Sequence, residues 1–159
     1  MKKIGILGGM APESTAQYYR LLIELSKEKK WGRKYPEIII YSLNFEVFCN
    51  YMSSGDPQKV IKLLSSKMNS IERAGADFGI MASNTPHMFF EEVSSNTDLP
   101  LLSIVDTTTE RAQKMGYNNL ALLGTGFTME GNFYREGFER KGMMLQTPEK
   151  QDRDFINRI

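Results

Sequence analysis

Three short stretches hold the polar groups that could do chemistry: "GGMAPEST" (residues 8–15), "SNTPH" (83–87) and "GTGFTMEGN" (124–132). All are rich in Gly, Ser, Thr and Asn, which offer backbone amides and hydroxyls in place of fixed charges. Amides left open at the start of a helix attract anions. With no lysine in these loops, the anion they suit is a small carboxylate. The same groups would serve abstraction of an amino acid's α-proton, which requires donors for the charge that develops on the carboxylate. Asn84, Thr85 and Thr125 are such donors. A base with a pKa near the working pH must also reach Cα. A thiol can be tuned to that value, whereas a serine hydroxyl such as Ser83 needs an adjacent base.

Other readings of these residues stand beside that one. A serine between a strand and a helix also suits an N-cap. His87, the single histidine of the chain, could activate Ser83 as a hydrolase dyad, bond to the site from behind, or lie on the surface. Against the dyad, no acid in the motif orients the ring and the G-x-S-x-G elbow is absent. The glycines fit tight strand-to-helix turns. "GILGGM" lacks the order of a dinucleotide fingerprint, and no Gly-Lys-Ser/Thr phosphate loop is present.

The elements that must position these loops alternate. Strand patterns at "KKIGIL", "EIIIYSL", "DFGIMAS", "PLLSIV" and "NNLALLGT" are separated by helical patterns at 12–30, 58–75, 86–96, 107–116 and 129–142, with a short "MMLQT" strand beyond. "EIIIYSL" is dense in β-branched residues and reads as a strand buried on both faces. The first helix is expected to turn Tyr18, Leu21, Leu22 and Leu25 to one side. Such alternation predicts an α/β fold, a parallel sheet with flanking helices, in which ligands lie beyond the carboxyl ends of the strands.

Composition narrows the function classes. In 159 residues, 20 Lys and Arg against 19 Asp and Glu leave a formal charge of +1, which gives no footprint for nucleic acid or an anionic membrane. No apolar run approaches the roughly 20 residues of a membrane span, and the start lacks the apolar region of a signal peptide. These features predict a cytoplasmic protein. Cys49 is the single cysteine, so no disulfide framework forms within the chain. It reads as core in a helix after strand two, and with one His and one Cys no protein metal site is expected. The run "KEKKWGRK" reads as a solvated charged face.

In this order and at this spacing, "IGILGGMAPESTAQYYR", "SNTPH" and "LALLGTGFTMEGNFYR" resemble the aspartate/glutamate racemase family along the whole chain, in the branch of the aspartate and broad-specificity amino-acid racemases. The resemblance implies a cofactor-independent isomerase, working without pyridoxal phosphate, in which two similar α/β lobes hold the amino acid. One thiol or hydroxyl from each lobe removes or returns the α-proton. The first of these positions matches Ser83. The substrate's carboxylates match Asn84, Thr85, Thr125 and Thr128, with backbone near Met10, and His87 falls behind them.

By the same resemblance, residues 1–100 form the first lobe and 101–159 an incomplete second lobe. Family members continue to a second-lobe cysteine, so the chain reads as C-terminally truncated and is expected not to run two-base racemisation alone. The exposed edge of the half-built lobe predicts a homodimer. Two other functions fit the loops: a non-catalytic remnant that binds a small amino-acid or dicarboxylate ligand, and a decarboxylase or cis-trans isomerase of the same superfamily.

Overall fold

The computed structural model describes residues 2–29 and 34–158. The middle of the "KEKKWGRK" run, the expected end of the first helix at Lys30, and Ile159 lie outside the described residues. The chain divides into two compact units, one comprising the chain up to Ser83 together with Phe89–Leu102, the other Asn84–Met88 and everything from Ser103 onward. Residues 84–88 thus belong with the second unit although the chain on both sides of them belongs to the first.

The first unit is a parallel sheet, ordered β2-β1-β3-β4, of β1 (Ile4–Gly8), β2 (Ile38–Ser42), β3 (Phe78–Met81) and β4 (Leu101–Leu102). Strand residues alternate faces. Leu7 and Met81 therefore meet Val60, Leu64, Met68 and Ile71 of α3 (Pro57–Arg73), while Gly8, of opposite parity to Leu7, faces α1 (Pro12–Glu28), where a Cβ would come within 2.3 Å of Thr15. Leu64 and Met68 are fully buried, and burying a side chain of that size stabilises by about 1.5–3 kcal/mol. The helix of α3 opens on Asp56, whose side chain accepts from the Gln58 amide, and Pro57 follows at its first position. It stops before Gly75, which takes φ +94°. Two shorter helices, α2 (Phe45–Ser53) and α4 (Phe90–Ser95), pack against α3. Cys49 lies half-buried in α2.

Two expectations are corrected in this unit. β2 is covered on one face only, Ile39 and Tyr41 packing against the core while Ile40 is exposed, and it stands at the edge of the sheet. An unbroken apolar run marks a strand as apolar but does not show that both faces of the sheet are covered there. α1 turns Thr15, Tyr18, Leu22 and Ser26 inward, and Leu21 and Leu25 are exposed. The close approach of helix to strand at Gly8 fits a side chain the size of Thr15, and Ser26, whose hydroxyl donates to the Leu22 carbonyl at 2.6 Å, is also buried, so small polar residues form part of the inner face.

The second unit contains α5 (Ile104–Lys114), β5 (Asn119–Ala121), α6 (Gly126–Glu130), α7 (Phe133–Glu139), β6 (Met144–Gln146) and α8 (Lys150–Ile156). β5 and β6 pair in parallel, and Val105, Ala112, Tyr134, Phe138, Met143 and Leu145 form the core. The expected strand over "PLLSIV" is only Leu101–Leu102, because Ser103 caps α5 by accepting from the Asp106 amide. The helix expected behind β5 is two helices. Gly131 between them is extended, and a Cβ there would lie 2.8 Å from the Phe127 carbonyl oxygen. No helix of the described residues is long and apolar enough to cross a membrane.

Candidate functional site

A cluster of neutral polar side chains lies within the second unit, where the loop after β5 meets residues 84–88. Thr125 caps α6, its Oγ1 accepting from the Thr128 amide at 3.3 Å. That oxygen is also 3.1 Å from Thr128 Oγ1 and 3.2 Å from Thr85 Oγ1. Three hydroxyls thus run in a line with Thr125 in the middle. Thr128 and Thr85 are buried and Thr125 is exposed. A hydroxyl has one proton and two acceptor sites, and the Thr128 amide occupies one acceptor site of Thr125 Oγ1, so Thr125 can accept from one more hydroxyl and has its own proton to donate to the other neighbour or to a ligand.

Asn84 stands beside this line. Its side-chain oxygen accepts from the Tyr134 hydroxyl at 2.7 Å and its main-chain oxygen from the His87 amide at 2.9 Å. The segment expected as a helix starting at Pro86 begins as a tight 3₁₀ turn over Thr85–Phe89 before α4. This turn buries Thr85, Pro86 and His87 and leaves Asn84 exposed. His87 Nε2 accepts from the Ile104 amide at 3.1 Å, at the first turn of α5. An imidazole nitrogen that accepts carries no proton, so His87 is neutral with its proton on Nδ1. The only lone pair of a neutral imidazole is therefore engaged by the helix, which leaves it unfit to take a proton from a serine.

The remaining expected residues lie in the first unit. Ser83 is half-buried, two residues past the end of β3 and directly before Asn84 in the chain. Met10 is buried in the first unit's core with Leu7 and Leu43. In its loop the Gly9 amide donates to Thr15 Oγ1 at 2.9 Å, and that amide is not open to a ligand. Ala11 caps α1 without a side-chain hydrogen bond. Among the described residues no group of three His, Cys, Asp or Glu side chains could hold a metal ion.

Sequence reasoning assigned no role to Tyr134. The available signal was a phenol on the inner stripe Tyr134, Gly137, Phe138 of α7, since a buried tyrosine hydroxyl requires a partner.

Parallel strands whose end loops carry hydroxyls and carboxamides define the class as an α/β protein with a neutral polar cluster at a strand end. The chain belongs to the Asp/Glu/Hydantoin racemase family, whose profile matches residues 7–159. It is 41% identical to an aspartate racemase homologue from Pyrococcus horikoshii OT3, whose crystal structure superposes with a TM-score of 0.87 over 100% of this chain and 70% of that one. Aspartate racemase from Picrophilus torridus shares the fold, with a TM-score of 0.77 at 21% identity over 98% of this chain and 72% of that one. The broad specificity amino-acid racemase RacX of Bacillus subtilis is 28% identical over 143 residues, 87% of this chain and 61% of that protein. The chain thus spans about three fifths of that relative's length.

Proposed function

We propose that this chain carries the carboxylate-holding part of a cofactor-independent amino-acid racemase, acting on an amino acid of the aspartate or glutamate kind. The observation that carries the reading is the hydroxyl line Thr128, Thr125, Thr85 with the Asn84 carboxamide beside it. Hydroxyl and amide donors held in place before the substrate arrives stabilise the charge that moves onto the carboxylate as the α-proton leaves. Family membership and the names of the relatives support an isomerase. By the family resemblance, Ser83, which precedes Asn84 in the chain, matches the acid–base position, and the backbone near Met10 matches a carboxylate contact.

Within this reading the protein is a cytoplasmic homodimer. A single cysteine without a disulfide partner suits a reducing compartment. The open edge of β2 and the exposed Ile40 suit pairing with another copy.

The test is titration of the 15N-labelled chain with L-aspartate. Expected are saturable shifts of the amides of Asn84, Thr85, Thr125 and Thr128. Shifts confined to other residues, or none at millimolar ligand, would refute the reading.

A further inference from the structure

Asn84 is exposed on a loop, and an unrestrained carboxamide there would present its oxygen and its nitrogen to a ligand equally often. A carboxylate wants only the nitrogen face. The Tyr134 hydroxyl, donating to Asn84 Oδ1 at 2.7 Å, removes that ambiguity. A planar amide whose oxygen is held must turn its Nδ2 to the other side.

The phenol is itself rigidly held. Tyr134 is 5% exposed, sits in the core with Val105 and Phe138, and stacks at a tilt on Phe133 and Phe138, with ring centroids 5.1 Å and 6.4 Å apart. The backbone of Asn84 is fixed at the same time, its carbonyl closing the 3₁₀ turn through the His87 amide. A residue on the surface is therefore pinned at both ends by groups in the interior.

We propose that Tyr134 is a positioning residue that sets the polarity of the site. It fixes the Asn84 carboxamide with Nδ2 available and Oδ1 engaged, so that the loop offers N–H donors to a carboxylate and withholds the oxygen that would repel one. This rests on the reading of the cluster as a carboxylate site and adds to it a residue of the buried core.

Succinate is the probe, because it carries carboxylates and no amine. Its affinity is measured by shift titration for four chains: wild type, Tyr134→Phe, Asn84→Ala and the double variant. Removing the phenol oxygen keeps the ring in the core and is expected to weaken succinate binding about three- to tenfold, the range expected for a lost orienting hydrogen bond. In the Asn84→Ala background the same substitution is expected to change the affinity less than about twofold, the mark of an effect transmitted through Asn84. A loss of similar size in both backgrounds would mean that Tyr134 acts only through packing, and would overturn the proposal.

A second measurement uses the wild type alone. The Asn84 side-chain NH2 resonances are expected to shift on saturation with succinate, and resonances that stay still while the Thr125 amide moves would overturn it. Wild type that binds no succinate at all would overturn both the carboxylate site and this inference. Binding with no coupling between positions 84 and 134 would overturn the inference alone.

Discussion

Replacing Thr125 by valine keeps the shape of the side chain and deletes the oxygen that three other groups converge on. The Thr128 amide loses its cap. At 3.3 Å that bond is long, so the loss belongs in the lower half of the usual range, about 0.5–1 kcal/mol. Thr128 is 2% exposed and Thr125 Oγ1 is its hydroxyl neighbour at 3.1 Å, so its own hydroxyl would be left buried without a partner at a cost of about 1–2 kcal/mol. Thr85, less deeply buried, adds little. The expected loss is about 1.5–3 kcal/mol, which in a chain of this size lowers the melting midpoint by roughly 3–12 °C. A hydrogen bond to a charged acceptor contributes about 1.5–3 kcal/mol, so aspartate binding should weaken about ten- to one-hundredfold. Thermal melts followed by circular dichroism and shift titrations on wild type, Thr125→Val and Thr125→Ser read both quantities, the serine variant keeping the hydroxyl and most of each effect. A valine variant that melts with the wild type would show that the hydroxyl line contributes nothing to stability. One that melts early yet binds aspartate within twofold of wild type would refute the role of Thr125 in holding the ligand.

Three further outcomes are expected. Exchange of the aspartate Cα proton in deuterated water should stay at the buffer background for the wild-type chain, because a serine hydroxyl is a weak acid–base group and the His87 Nε2 lone pair is engaged by the Ile104 amide. In Ser83→Cys, whose thiol is far more acidic than a serine hydroxyl, exchange should rise above it; equal exchange in both, by proton NMR, would refute the assignment of position 83. Gly9→Ala should destabilise by more than about 2 kcal/mol in urea unfolding, since Gly9 holds φ +85° and a Cβ would meet backbone atoms of Leu43 at 2.4 Å and 2.5 Å; an unchanged urea midpoint would contradict it. Burial raises the Tyr18 phenol above its ordinary 10.0, so the folded chain favours the neutral form. That contribution is fully present below the ordinary value and is lost as pH rises through the raised one, and Tyr18→Phe should flatten the alkaline fall in urea midpoint.

The strand-end loops were legible because their chemistry is local: Pro12 at a helix start, Gly75 at a helix end, and small polar residues after β1, β3 and β5. What escaped depended on partners distant in sequence. Whether both faces of β2 are covered is decided by what packs over the sheet there, and nothing in "IIIYS" encodes that Ile40 is left exposed. That Thr15 turns inward goes with the bare backbone of Gly8, outside the helix itself. Tyr134 and Asn84 are fifty residues apart, and no periodicity links a phenol in one helix to a carboxamide in a distant turn. The readings of Ser83 and His87 as a dyad could be separated only by seeing which atom the imidazole lone pair faces.

The excursion of residues 84–88 has a consequence for how the molecule can be taken apart. The chain enters the second unit at Asn84, leaves it after Met88, and returns for good at Ser103. A cut at the return point would release a polypeptide lacking the loop whose bonds reach Thr125, Tyr134 and Ile104. The second unit is thus not a contiguous stretch of gene. It cannot be cloned, shuffled or inherited as a cassette without leaving its own polar lining behind in the other piece. Two fragments divided at that point would have to find each other again before Thr125 regained Thr85 or Tyr134 regained Asn84.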